Sequence, residues 1–159
     1  MSRVQVFDES HAVKCQLAAD VLRSSGNLRL QVTGWSMLPS VWPGDTLFIE
    51  PVSAHAVSQG DIVLFQRDRR LFAHRVVAQS GQCELITRGD AMPTTDAPVS
   101  EAELLGRVSR IERDGRSLQP HGQVRRQARV FGALIHRSRI AARVVFRMRD
   151  LRRAYRSSN

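Results

Sequence analysis

Ser36, His74 and two aspartates, Asp90 and Asp96, are the side chains of this sequence best suited to covalent chemistry. A serine hydroxyl is a weak nucleophile until a neighbouring base takes its proton, and a neutral imidazole does this near pH 7. A carboxylate on the far ring nitrogen fixes the tautomer and stabilises the imidazolium that forms. Ser36 stands in Gly34-Trp35-Ser36-Met37-Leu38-Pro39, followed by Trp42-Pro43-Gly44-Asp45. Gly34 lets backbone approach a substrate closely and Pro39 stiffens the exit, so Gly34, Ser36, Met37 and Pro39 are the expected oxyanion and substrate contacts. Serines in glycine-containing turns are common, and this stretch alone decides nothing. His74 lies in Leu71-Phe72-Ala73-His74-Arg75-Val76-Val77. On a strand it shares a face with Phe72 and Val76 while Arg75 points away. Desolvation there keeps the ring neutral, although a packed core histidine has the same setting. Asp90 and Asp96, in Arg88-Gly89-Asp90-Ala91-Met92-Pro93-Thr94-Thr95-Asp96, are both candidates for the carboxylate, or each caps a loop.

The elements that must position these groups read as follows. Residues 8–24 suit a short amphipathic helix, with Ala12, Val13, Leu17, Val21 and Leu22 as its apolar stripe and Ser24-Ser25-Gly26-Asn27 as its end. Short apolar segments bounded by turn residues then predict strands at 28–33, 46–50, 61–66, 71–78, 83–88 and 104–111. Gly44-Asp45, Gly60-Asp61 and Gly89-Asp90 punctuate them, and tight turns alone would account for all three. The expectation is a mainly β, mostly antiparallel domain over 28–120, preceded by a helical leader (1–27) and followed by a basic amphipathic helical tail (121–159).

Taken together, the boxes resemble those of the type I signal peptidases, in their archaeal and eukaryotic-like branch. That pattern is a Ser-Met-x-Pro box, a nearby Gly-Asp, a Gly-Asp-Ile-Val strand, a His-Arg-Val box and a Gly-Asp box with a following Asp. Ser36-Met37-Leu38-Pro39, Gly44-Asp45, Gly60-Asp61-Ile62-Val63, His74-Arg75-Val76 and Gly89-Asp90 with Asp96 supply it in order. Leu105-Gly106-Arg107-Val108 looks like the closing strand of that family, so the resemblance spans roughly 28–112. It implies the β fold shared with LexA-like self-cleaving repressors, Ser36 as nucleophile, His74 as base, and Asp96 in preference to Asp90 as the carboxylate. Two departures stand out. Members of that family carry a membrane anchor, and no run here reaches the about 18–20 apolar residues that span a bilayer. Many have serine two places before the nucleophile, where this chain has Gly34, which leaves the oxyanion to backbone N–H groups such as that of Ser36.

The lysine count bears on the base independently. Bacterial signal peptidases and LexA-like repressors use a lysine downstream of the serine, but Lys14 is the sole lysine and precedes Ser36. Arginine stays protonated and cannot replace it.

Charge sorts the remaining function classes. Residues 121–159 hold 11 arginines against the single acid Asp150, whereas 1–120 hold 13 basic and 14 acidic residues. The pI of 11.3 therefore belongs to the tail, and no nucleic-acid binding is expected of the core. In the tail, Val130, Leu134, Ala141, Val144, Met148, Leu151 and Tyr155 recur at helical spacing among arginines, which suits an anionic membrane surface or a partner protein. Cys15 and Cys83 have no metal-ligand spacing, and neither metal nor cofactor is expected. The N-terminus lacks the apolar core of a secretory signal, so the expected location is the cytoplasm or the membrane periphery. The function expected is a serine endopeptidase acting on a peptide or precursor protein, as in signal-peptide processing. The alternative is a peptide-binding module that keeps the fold without cutting. A self-cleaving repressor ranks last, because the short leader has no room for a DNA-binding domain.

Overall fold

The computed structural model describes residues 3–81 and 83–120. The expected tail helix lies outside them. Helix α1 (Arg3–Ser25) leads into seven strands: β1 (Leu28–Gln31), β2 (Thr46–Glu50), β3 (Ile62–Arg67), β4 (Arg70–Ser80), β5 (Glu84–Arg88), β6 (Leu104–Arg113) and β7 (Arg116–Leu118). They form one antiparallel sheet in the order β1-β2-β6-β3-β4-β5, with β7 folded back on the end of β6. Mainly β architecture with an N-terminal helix is what the segment pattern called for, and every one of the six expected strands is present.

Side-chain alternation builds the core. In β2, Leu47 and Ile49 are fully buried while Thr46 and Phe48 are half-exposed. β3 is different: Ile62, Val63, Leu64 and Phe65 are all buried, because this strand runs through the middle of the sheet with apolar material on both sides. Ile62 and Leu64 join Leu47, Ile49, Val108 and Ile111 on one face, and Val63 and Phe65 join Val76, Leu85, Val99 and Leu104 on the other.

α1 meets the first of these faces through Leu22, with Cys15 and Ala18 buried above it. The stripe expected through Val13 and Leu17 is not the buried one, for these two are 65% and 60% exposed. Val13 and Leu22 are nine residues apart, about two and a half turns, so they point to opposite sides of the helix. Only one of them can face the sheet. β7 was not expected from the strand pattern. It follows Asp114-Gly115, with φ of 50° and 74°, the two-residue turn that matches the twist of a hairpin.

Candidate active site

Strand β1 delivers the chain to Ser36 through a compact turn. Leu38 N–H donates to Trp35 O and Val41 N–H to Met37 O, bonds that do not engage the N–H of Ser36. Leu38 and Met37 are buried, Met37 in the core cluster with Val41 and Leu47, so Met37 anchors the turn and its side chain is not a substrate contact. Pro39 follows a cis peptide bond, and its carbonyl accepts the Trp42 indole N–H at 2.8 Å. Gly34 is exposed, and a Cβ placed on it would meet nothing within 4 Å.

Opposite this turn, β4 carries His74 with 5% exposure. Its ring packs against Phe65 and Phe72, with centroids 6.0 and 5.9 Å away. His74 Nε2 lies 2.9 Å from Ser36 Oγ, and Nδ1 lies 2.7 Å from Asp96 Oδ2. The same carboxylate oxygen accepts the Thr87 hydroxyl at 2.7 Å. An ionised carboxylate only accepts, so the proton between His74 and Asp96 sits on Nδ1. Nε2 then keeps its lone pair and faces the hydroxyl of Ser36. That is the tautomer in which an imidazole takes a serine proton.

The two candidate aspartates do different things. Asp96 meets the imidazole; Asp90 instead receives Arg75, whose Nε and second guanidinium nitrogen reach its two oxygens at 2.9 and 2.8 Å. Both partners are buried. The third guanidinium nitrogen donates to the carbonyls of Gly60 (2.7 Å) and Pro120 (3.1 Å). Arg75 does point away from the His74 face, as strand alternation requires, but into a buried ion pair. The loop bearing Asp90 also supports the Ser36 turn: Ala91 N–H donates to Ser36 O at 2.9 Å.

Gly89 has a steric reason for being glycine. A Cβ there would stand 2.6 Å from Ser36 O. The three Gly-Asp pairs are thus not equivalent. Gly44 and Gly60 have φ of 88° and 100°, and the carboxylates of Asp45 and Asp61 accept N–H groups three residues back, as turn residues do. Gly89 serves close contact with the Ser36 turn.

Sequence reasoning missed Thr87, Ala91 and the clamping role of Arg75. Alternation from the strand pattern put Thr87 on β5 but could not say which long loop folds over it. Among the described residues no three His, Cys, Asp or Glu side chains converge as metal ligands.

A family model described as Peptidase S24-like matches residues 4–109, about two-thirds of the chain. The chain belongs to the Peptidase S24-like family. The match takes in α1 as well as the sheet as far as β6, and the mainly β fold is of the LexA and signal-peptidase-like kind. No curated protein matches it. Lys14, on α1, is exposed, and in this chain the group beside the serine is the imidazole of His74.

Proposed function

We propose that this S24-like protein is a serine endopeptidase that cuts a peptide or precursor protein by way of an acyl-enzyme. The observation that carries the reading is the unbroken line from Ser36 Oγ to His74 Nε2 and from Nδ1 to Asp96. His74 takes the hydroxyl proton as Ser36 attacks the scissile carbonyl. The oxyanion of the tetrahedral intermediate is met by backbone N–H groups, that of Ser36 among them. Collapse expels the amine, which leaves with the proton from His74. Water then gives its proton to His74 and releases the acid. Asp96 holds the ring throughout.

The substrate adds as an extended strand along the outer edge of β1. Among the described residues β1 ends the sheet on that side, whereas the outer edge of β5 is occupied by the segment around Asp96 to Val99, through Asp96 N–H to Thr87 O and the Leu85–Val99 pair. The resemblance to signal peptidases favours small side chains beside the cut and a precursor protein as the substrate. No helix among the described residues is long and apolar enough to cross a membrane. We propose peripheral attachment instead, with the arginines of 121–159 against anionic lipid. The full chain should then sediment with anionic vesicles and stay free of neutral ones; equal partitioning removes this attachment.

A fluorophosphonate probe tests the catalytic reading. The wild type should label on Ser36, and Ser36→Ala and His74→Ala should not, with far-UV dichroism unchanged. A wild type that resists the probe, or a Ser36→Ala variant that labels equally, would leave a binding module as the function.

A further inference from the structure

Resting on the peptidase reading, we infer that Arg67 and Glu103 form a clamp that positions Asp96 for its work on His74. Arg67 closes β3, and its guanidinium reaches across to the loop between β5 and β6. It donates to Ala97 O at 3.0 Å and Pro98 O at 2.7 Å, the two carbonyls that directly follow Asp96. It also grips Glu103 at both carboxylate oxygens, at 2.7 and 2.9 Å.

Glu103 ties the other end of the same loop. It accepts the N–H and hydroxyl of Ser100, each at 3.0 Å, while its own carbonyl accepts Gln66 N–H at 2.8 Å. The residues from Asp96 to Glu103 are therefore wrapped around one bidentate ion pair. On the opposite side the loop is sewn to β5 by Asp96 N–H to Thr87 O and the Thr87 hydroxyl to Asp96 Oδ2.

The clamp touches the base from a second direction. The Arg67 guanidinium lies 5.6 Å from the centroid of Phe65, and Phe65 packs edge-on against His74. One side chain thus braces both the carboxylate and the apolar wall of the imidazole. The hydrogen bonds from Arg67 and Ser100 lower the Glu103 carboxyl to about 2, so the pair stays charged wherever a neutral His74 can act as base. Lysine cannot supply this set of bonds. A guanidinium presents its donors in a fixed planar fork, and the two carbonyls and the carboxylate lie in its directions.

The test is a double-mutant cycle read by fluorophosphonate labelling across pH. Wild-type labelling on Ser36 comes first, since its absence ends the peptidase reading and not the clamp. Arg67→Ala should then label about 10- to 100-fold more slowly, the scale at which a slightly misplaced catalytic group acts. Its acid limb should leave the wild-type position, because the imidazolium is then held differently by Asp96 and the Glu103 carboxylate has lost its cation. Arg67→Lys should fall nearly as far. In an Asp96→Asn background, Arg67→Ala should add almost nothing. If Arg67→Ala does not fold, Glu103→Gln carries the same cycle with Arg67 still present. Wild-type rate and acid limb in the single variant, or full additivity with Asp96→Asn, would overturn the clamp.

Discussion

At the scale of single residues, the two aspartates separate cleanly by what substitution should do. Asp96→Asn keeps the size of the side chain but presents an amide that favours the wrong imidazole tautomer. Labelling should fall about 1,000-fold or more, with little change in the urea midpoint. Asp90→Asn should do the reverse in emphasis, because it leaves the Arg75 guanidinium buried without its counter-charge. A loss of about 3 kcal/mol in urea unfolding is expected, and an unchanged midpoint would show that Arg75 finds water instead. Gly34 offers a gain. Its missing Cβ faces open space, so Gly34→Ser adds a hydroxyl two places before Ser36 without displacing backbone. The labelling rate should rise, by up to about tenfold, if that hydroxyl reaches the oxyanion; a fall of that size would show the turn to be less roomy than its geometry. These residues were legible in the sequence only to a degree. Ser36 and His74 announced themselves through their boxes, whereas Asp90 and Asp96 stood equal on chemistry alone. Nothing in a linear string says which carboxylate a loop will fold towards an imidazole.

At the scale of elements, the site depends on two loops being pressed together. The turn holding Ser36 and the loop holding Asp90 meet where Gly89 passes the Ser36 carbonyl. Gly89→Ala must force them apart, because the obstructing atom is backbone and cannot rotate away. We expect labelling to drop about 10- to 100-fold, with a crystal structure or amide exchange showing movement confined to residues near 36 and 90. Six strands were readable because half-buried strands alternate and turn residues bracket them. β7 was overlooked although Asp114-Gly115 is a strong hairpin signal, since a three-residue strand with Arg-Ser-Leu carries almost no alternation. The helix failed in a different way. Two apolar stripes compete on α1, and the small side chains of Cys15 and Ala18, which let a helix lie close to a sheet, weigh little in any pattern of large apolar residues. Periodicity identified a helix and could not choose its inner face.

At the scale of the molecule, acid stability is where the loop clamp should become visible without any substrate. Glu103 titrates at about 2 when folded, against an ordinary value of 4.5. A depressed carboxylate stabilises fully above its unfolded pKa, and that contribution disappears as pH falls from about 4.5 through 2. Allowing for solvent around a pair roughly a quarter exposed, about 1–2 kcal/mol is at stake. Urea unfolding at pH 6 and pH 2.5 should show this difference in the wild type and a smaller one in Arg67→Ala; an equal difference in both would assign the acid sensitivity elsewhere. The uneven charge of the chain, by contrast, was plain from composition, for it needs only counting. The contact between Arg75 and the carbonyl of Pro120 has a practical meaning for anyone wishing to remove the arginine-rich segment. A stop codon placed before residue 120 would delete an acceptor from a buried guanidinium, and one placed directly after it would turn that acceptor into a second carboxylate crowding Asp90. The economical cut is a few residues further on, where the peptide bond after Pro120 is still intact and its carbonyl is kept as a neutral acceptor for Arg75.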